Sequence, residues 1–363
     1  MKHLVVMAAG TGGHVIPGLA VAREMQARGW SVSWLGTAKG LENKLVPAAG
    51  IVLDRIGFQG MRGKGAFGNA LGAVKLFIAL RTCRRILERR HASAVLGMGG
   101  YVCFPGGWVA KWLGKPLLLV NADARLLLSN RSLLAAARRI AFGFAFDAAS
   151  EDARRVGTKA VVTGNPVREP IEALPTPAAR WEGRSGALRL LVVGGSLGAR
   201  VLNETLPKAV ASMAAGSRPA VVHQTGTAER DAVARAYAEQ GVAGADVRDF
   251  IDDMATELAR CDVVVCRAGA ITVSELCAAG VPAVLVPLVV STTSHQRDNA
   301  AWMAGHGAAI HLPQPELTPG RLAELLGSLT REALLAMAST ARALARPHAA
   351  ARVADEIEAM VAA

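Results

Sequence analysis

Two stretches of this chain place small residues where an anion could meet bare backbone. Residues 3–14, HLVVMAAGTGGH, read as a short apolar strand running into a glycine-rich turn. Residues 188–200, LRLLVVGGSLGAR, repeat the arrangement and continue into a helical stretch. Small residues after a strand let backbone N–H groups approach a phosphate, and the following helix N-terminus adds partial positive charge. Either loop alone is a weak signal, because such turns also serve packing. His14, directly after the first loop, has an ordinary pKa suited to taking a proton near neutral pH. Phosphate binding and helix capping are the other readings of a histidine there.

What these loops lack narrows the chemistry. Val15 stands where a GxGxxG fingerprint needs its last glycine. The next strands, SVSWLG (31–36) and AVVHQTG (220–226), end without the acid that grips an NAD ribose. No GxxxxGK[ST] is present, which argues against a P-loop NTPase. The five cysteines form no CxxC pair and read as small buried hydrophobes, with neither a disulfide framework nor a zinc site.

The elements that must position the loops follow from pattern and length. At 363 residues, two domains are expected. Hydrophobic residues make up 52% and aromatics only 4%, so the cores are built from Ala, Val and Leu and disorder is excluded. No apolar run is long enough to span a bilayer, and the N-terminus turns into a loop too soon for a signal peptide. Residues 17–28 have helical spacing and stop at Gly29. AVLGMGGY (94–101) and DVVVCRAGA (262–270) are a second pair of echoes, each strand, glycine turn and helix. Apolar runs without alternation suit parallel strands buried on both faces, so the fold class is α/β with two doubly wound, Rossmann-like parallel sheets. Proline and glycine cluster at 161–170, which marks the boundary, and PTPAARWEGRSG (175–186) reads as a loop. Two such domains without dinucleotide or P-loop fingerprints point to a sugar-nucleotide enzyme.

The charge is one-sided. Residues 1–164 hold 23 Lys/Arg against 8 Asp/Glu, and residues 165–363 hold 18 against 21. A basic first half suits a nucleic acid, a membrane surface or a phosphorylated substrate. Few aromatics and no binding motif count against nucleic acid. Residues 62–90 carry eight Lys/Arg and one acid, Glu88. On a helical wheel Leu76, Leu80, Cys83 and Leu87 form a core face, while Leu71, Val74 and Ile78 lie opposite and lead into Arg81, Arg85 and Arg89. An apolar patch beside an arginine row suits an anionic bilayer, and Trp108 and Trp112 extend it. Burial of the patch under a loop is the competing reading.

Eight motifs in one order make the sequence specific: GTGGHVIPGLAVA (10–22), GFQGMRGKG (57–65), VLGMGGYVCFPG (95–106), GNPVR (164–168), VVGGSLGAR (192–200), FIDDM (250–254), RAGAITVSEL (267–276) and HQRDNA (295–300). Together they closely resemble the MurG family, from about residue 3 to the C-terminus. The resemblance implies a GT-B fold with two Rossmann-like domains facing a cleft. Residues 1–163 with a C-terminal helix at about 343–363 would bind acceptor and membrane, and residues 164–342 would bind the donor. It implies a metal-independent, inverting hexosyltransferase. GlcNAc would move from UDP-GlcNAc to the muramoyl 4-hydroxyl of undecaprenyl-diphosphate-MurNAc-pentapeptide (lipid I), giving lipid II and UDP for peptidoglycan biosynthesis. No cofactor or structural metal is expected, and Asp252-Asp253 beside Phe250-Ile251 suits an apolar nucleotide wall better than a metal site.

By the same resemblance His14 is the proposed base. Thr11, Gly12, Gly13, Gly99, Gly100, Tyr101 and Asp123 line the acceptor. Arg168, Gly195 and Ser196 meet the UDP diphosphate, and Ile251 lies against the uracil. Ala270, Ile271 and Thr272 offer backbone amides, Glu275 takes the ribose hydroxyls, and Gln296 and Asn299 read the GlcNAc hydroxyls, with His295 as a neighbour. The implied partners are UDP-GlcNAc, lipid I, the anionic cytoplasmic face of the bacterial inner membrane, and other cell-wall synthesis proteins; no nucleic acid is expected. The chain departs from the family pattern at Asp123, where the family has Asn, at Leu197, where Gln is common, and in VVSTTSHQ (289–296). A GT-B transferase for another lipid acceptor and a UDP-sugar epimerase are the alternatives.

Overall fold

The computed structural model describes residues 1–10, 12–58, 65–195, 197–288 and 294–362, with residues 65–71 as helical backbone. Thr11, Ser196 and the side chain of Leu71, all expected to serve a site or a surface, lie outside the described residues. The chain divides into two compact units, Met1–Val167 with His348–Ala363, and Arg168–Pro347.

In the first unit the strands are β1 (His3–Ala8), β2 (Ser31–Thr37), β3 (Val52–Ile56), β4 (Ala94–Gly99), β5 (Leu117–Asn121), β6 (Arg139–Phe142) and β7 (Ala160–Val162). They pair in parallel in the order β3-β2-β1-β4-β5-β6-β7. In the second unit β8 (Arg189–Val193), β9 (Ala220–Gln224), β10 (Asp246–Arg248), β11 (Val263–Cys266), β12 (Ala283–Leu285) and β13 (Ala309–His311) run in the order β10-β9-β8-β11-β12-β13, again parallel. In each sheet the order reverses beside the first strand. That places a crevice at the carboxyl ends of β1 and β4, and another at those of β8 and β11.

The continuous apolar runs are buried as parallel strands require: Leu4, Val5, Val6 and Met7 are fully inaccessible. Side chains from β1 feed two cores, one on each face of the sheet. The C-terminal helix Ala349–Ala362 closes one of them with Val353, Ala354, Ile357 and Met360. Its polar face is fixed by Arg28, which donates to Asp355 at 2.7 Å and Glu358 at 2.9 Å.

Two local expectations are corrected. The first helix spans Gly12–Ala27 and begins five residues before Pro17. Pro17 forfeits one intrahelical bond without ending the helix, so His14 sits in the first turn rather than in a loop. The segment 175–186 contains the helix Pro177–Trp181, started by Thr176, whose hydroxyl accepts from Ala179 N at 3.4 Å, and by Pro177 at the first helical position.

The arginine that follows this helix joins an ion cluster under the second sheet. Asp262 is fully buried, and its carboxylate accepts from Arg184 (2.8 Å), Arg331 (3.2 Å) and Arg189 N (2.9 Å). Arg184 also donates to the carbonyls of Arg260 and Cys261, past the end of helix Met254–Arg260. Removing one partner of a buried pair strands the others. Asp262→Ala is therefore expected to destabilise the protein by about 3 kcal/mol in urea denaturation; a loss below about 0.5 kcal/mol, the level of a surface substitution, contradicts the account.

Candidate functional site

At the carboxyl edge of the first sheet, the chain leaves β1 through Ala9 and Gly10 and enters the helix at Gly12. The first-turn N–H groups, Gly12 and Gly13 among them, have no intrahelical acceptor and can serve an anion. His14 is partly buried, and its Nδ1 lies 3.4 Å from the Ala9 carbonyl. A carbonyl can only accept, so Nδ1 carries the proton and Nε2 keeps its lone pair. Burial lowers the His14 pKa, opposed by the Ala9 carbonyl and by the charge of Asp123, so the ring is the free base at neutral pH.

The neighbouring loop is shaped around that ring. The β1–β4 pairing shifts register between Met7 and Ala8, which sets Gly99 opposite Ala8. A Cβ on Gly99 would fall 2.6 Å from His14 Cδ2 and 2.7 Å from Nε2, and φ there is +128°. A Cβ on Gly100 would fall 2.7 Å from the Ala9 carbonyl oxygen. Tyr101 is 55% exposed beside them. Asp123 belongs to the loop after β5, which Asn121 holds: its Nδ2 donates to the carbonyls of Asp123 (2.8 Å) and Arg125 (3.0 Å), and its Oδ1 accepts from Leu127 N (2.9 Å). His14, Gly12, Gly13, Gly99, Gly100, Tyr101 and Asp123 thus share one sheet edge.

Two supports of this edge escaped sequence reasoning. Glu42 is fully buried; Oε2 accepts from Gly10 N at 3.0 Å, and Oε1 accepts from Thr37 N at 3.1 Å and Thr37 Oγ1 at 2.7 Å. It ties the first glycine loop to the end of β2. No signal in the sequence marks it; in the fold it packs under Gly36, where a Cβ would come within 2.9 Å of Glu42 Cγ. Cys103 Sγ accepts from Gly99 N at 3.3 Å and donates to the Met7 carbonyl at 3.4 Å. Burial pushes that thiol up to about 12, so it remains protonated and able to donate.

The second sheet carries the donor-side candidates. After β8, Gly195 and Gly198 take positive φ values of 92° and 77°, and Leu197 at the loop tip is 93% exposed. A Cβ on Gly198 would overlap the Thr225 carbonyl oxygen. After β11, Gly269 precedes helix Ala270–Ala279, whose first-turn N–H groups at Ala270, Ile271 and Thr272 point out of the helix end. Arg168 donates to Glu275 Oε1 at 2.8 Å, so these two candidates are paired with each other. Gln296 Oε1 accepts from Ala268 N (3.3 Å) and Leu288 N (2.9 Å), which braces two loops. Asn299 is fully buried and donates to the Ala268 carbonyl at 3.1 Å. It therefore supports the loop before the helix and presents no surface to a ligand. His295 opens helix His295–Gly305 and is half-buried. Ile251, after β10, is buried, whereas Phe250 is half exposed.

Comparison with known proteins agrees with this architecture. Residues 4–142 match the glycosyltransferase family 28 N-terminal domain, and residues 189–357 match its C-terminal domain. A protein from Methylibium petroleiphilum is 66% identical over 99% of this chain and 98% of its own length. One from Chromobacterium violaceum is 60% identical over 98% and 97%. Both are named UDP-N-acetylglucosamine--N-acetylmuramyl-(pentapeptide) pyrophosphoryl-undecaprenol N-acetylglucosamine transferase. The crystal structure of Acinetobacter baumannii MurG superposes with a TM-score of 0.84 at 36% identity, covering 99% of this chain and 100% of that one. This chain belongs to the MurG family. Its two parallel-sheet units are the GT-B architecture of that family, and it is a glycosyltransferase.

The contact between Gly99 and His14 yields a test. In Gly99→Ala the new methyl must displace the imidazole by about 1 Å, and a shift of that size at a reacting group can cost about 100-fold in rate. Turnover is expected to fall by that factor while nucleotide affinity stays unchanged, as measured by steady-state kinetics and nucleotide titration. Full activity in the variant would show that the His14 ring is not held by this contact.

Proposed function

We propose that this chain moves GlcNAc from UDP-GlcNAc to the muramoyl 4-hydroxyl of lipid I, giving lipid II and UDP with inversion at the sugar carbon. Relatives at 66% and 60% identity over nearly the whole chain carry that activity in their names, which favours this acceptor over another lipid and over a UDP-sugar epimerase. The observation that carries the mechanism is the contact of His14 Nδ1 with the Ala9 carbonyl at 3.4 Å, which assigns the proton to Nδ1 and leaves Nε2, beside Gly99, as the basic nitrogen.

In the proposed step the acceptor hydroxyl oxygen bonds to the anomeric carbon as the bond from that carbon to UDP breaks. His14 Nε2 takes the hydroxyl proton, and UDP leaves with the bonding electron pair. The N–H groups of Gly12 and Gly13, with Thr11, would hold the acceptor diphosphate, alongside Gly99, Gly100 and Tyr101. Asp123, in place of the family's Asn, would face the acceptor and favour the imidazolium that forms. On the donor side the Gly195–Ser196 loop, the amides of Ala270, Ile271 and Thr272, and Arg168 would stabilise the leaving diphosphate. These donors already supply positive potential, and the proposed chemistry uses no resident metal or cofactor. Glu275, with Oε1 taken by Arg168, keeps Oε2 for a ribose hydroxyl. Gln296, with its carbonyl held by backbone, keeps its amide N–H for a GlcNAc hydroxyl. Ile251 would back the uracil, and Asn299 would act through Ala268.

The proposed site of work is the cytoplasmic face of the inner membrane, beside other cell-wall synthesis proteins. Among the described residues no helix is long and apolar enough to cross a membrane. Helix Gly65–Arg89 turns Ala79, Cys83, Ile86 and Leu87 to the core and leaves Val74 (55%), Phe77 (57%) and Ile78 (57%) exposed. Phe77, absent from the expected patch, lies under Arg81, with the guanidinium 5.7 Å from its ring centre. Arg81 and Arg85 are exposed, as is Trp112 on helix Cys103–Trp112. Apolar side chains flanked by arginines fit an anionic lipid surface.

His14→Ala is expected to lower acceptor-dependent UDP release by roughly 10²- to 10⁴-fold, the usual contribution of a general base. Because burial holds His14 below its ordinary 6.5, the acid limb of kcat/KM in the wild type lies below pH 6.5, where protonation removes the base. That limb disappears in the variant. UDP release without lipid I, or a variant as active as wild type, overturns the reading. For the membrane face, Arg81→Gln with Arg85→Gln should weaken binding to anionic vesicles by roughly 30-fold, at about 1 kcal/mol for each arginine. Unchanged sedimentation with vesicles would remove α-helical residues 74–85 from the membrane contact.

A further inference from the structure

The second unit contains a buried chain of polar side chains that no role above uses. His223 and Thr225 are fully inaccessible, and Asn203 and Tyr237 nearly so. Asn203 Nδ2 donates to the Thr225 carbonyl at 3.0 Å and to the Glu229 carboxylate. The Thr225 carbonyl can only accept, so the amide orientation is forced and Asn203 Oδ1 must accept. It does so from His223 Nε2 at 3.1 Å. Burial pushes His223 down to about 4, so the ring is neutral and carries one proton. With that proton on Nε2, Nδ1 is an acceptor, and the Tyr237 hydroxyl, 3.1 Å away, must donate to it. The bonds therefore run one way, from Tyr237 through His223 and Asn203 to the Thr225 carbonyl.

Thr225 is the residue on which two separate parts of the donor edge converge. Its carbonyl is packed against Gly198, so closely that a Cβ there would overlap it. The next residue, Gly226, lies under the Leu197 carbonyl, where a Cβ would fall 2.5 Å away. On the other side, Thr225 N and Oγ1 donate to the Arg248 carbonyl (2.9 and 3.2 Å), and Gly226 N donates to the Asp249 carbonyl (3.1 Å). Those two residues lead directly into Phe250 and Ile251. Thr225 thus stands between the two, its carbonyl against the glycine loop assigned to the diphosphate and its N–H and hydroxyl on the segment assigned to the uracil.

We propose that Tyr237, His223 and Asn203 are positioning residues for the sugar-nucleotide donor: a strut that sets the Thr225 carbonyl, and through it the spacing between the diphosphate loop and the uracil wall. The proposal rests on the reading of Gly194–Gly198 as the diphosphate loop. A buried network of this kind is stiff because each bond polarises the next, and an apolar replacement would leave the Thr225 carbonyl free to shift. All three residues belong to the second unit and His14 to the first, so loss of the strut acts on donor binding and not on proton transfer.

The test compares direct UDP titration with steady-state kinetics of the full chain. In Asn203→Asp, which keeps the shape but replaces the donor N–H with an acceptor, and in His223→Leu, UDP affinity should fall and KM for UDP-GlcNAc rise by about tenfold. The KM for a lipid I analogue should stay unchanged and kcat should remain within about twofold, since the strut holds the donor and not the base. His223→Gln, whose amide can donate to Asn203, should recover most of the affinity. The double variant Asn203→Asp with His223→Leu should be no worse than the poorer single one, because both break the same chain. Should His223→Leu fail to fold, the isosteric Asn203→Asp carries the test. A folded Asn203→Asp protein with wild-type UDP affinity overturns the strut, whatever its thermal stability. Gly198→Ala separates this from failure of the underlying reading. If it weakens UDP binding while Asn203→Asp does not, the diphosphate loop stands and the strut falls; if neither does, the loop assignment itself is wrong.

Discussion

At the carboxyl edges of both sheets, backbone meets backbone more closely than any side chain on the α-carbon would allow. Parallel pairing sends every strand end to the same edge, so the loops must crowd there. Gly100 lies on the Ala9 carbonyl, Gly198 on that of Thr225, and Gly226 on that of Leu197. This crowding brings residues distant in sequence together at each edge, beside helix ends whose first-turn N–H groups have no intrahelical acceptor. The His14 imidazole depends on it directly, because Gly99 is the surface it rests against. The same approach lets a single side chain, Glu42 or Asn203, control a loop it does not belong to.

Electrostatics then divides the labour. The acceptor edge keeps its titratable group neutral: burial lowers His14, and Ala9 takes its one N–H. A cationic imidazole there could bind phosphate but could not take a proton. The donor edge instead gathers fixed positive potential from helix ends and from Arg168, which Glu275 holds in place without burying it. In the proposed reaction a general base that must be neutral and a leaving group that needs positive charge are poorly served by one environment. Two sheets that share the order of their first six strands and differ in the side chains at their edges would resolve that conflict.

Most of the fold was legible because its signals are local. Unalternating apolar runs, glycine turns and helical spacing gave both parallel sheets, the strand-to-helix loops and a C-terminal helix, which runs from Ala349 to Ala362. The exposed faces of Val74 and Ile78 followed from the wheel. What stayed hidden depends on partners far along the chain. Glu42 in isolation is an ordinary helix-start acid; only the fold brings Gly10 to it. Asn299 sits in a motif that reads as sugar-binding, yet its amide is turned inward to Ala268. His223 is followed by Gln-Thr-Gly and reads as strand, and its use emerges only when Tyr237 and Asn203 arrive on either side. Pro17 misplaced the start of the first helix because proline is favoured in a first turn, whereas the helix runs Gly12–Ala27 with Pro17 inside it.

Three amide side chains at the proposed donor edge are bound to backbone before any ligand arrives. Gln296 already bridges Ala268 and Leu288, Asn299 already holds Ala268, and Asn203 already holds Thr225. Ordering a free glutamine or arginine on binding costs about 0.5–1.5 kcal/mol for each side chain immobilised. Here that cost is met during folding, where the buried core of the second unit supplies the compensation. The affinity of such a site is therefore sensitive to residues that never reach the ligand. In the proposed reading this also explains why a fully buried asparagine can stand inside a binding motif: Asn299 would contribute the fixed position of the peptide groups before helix Ala270–Ala279, and a polar side chain that reached the ligand itself would have had to leave that peptide unsupported.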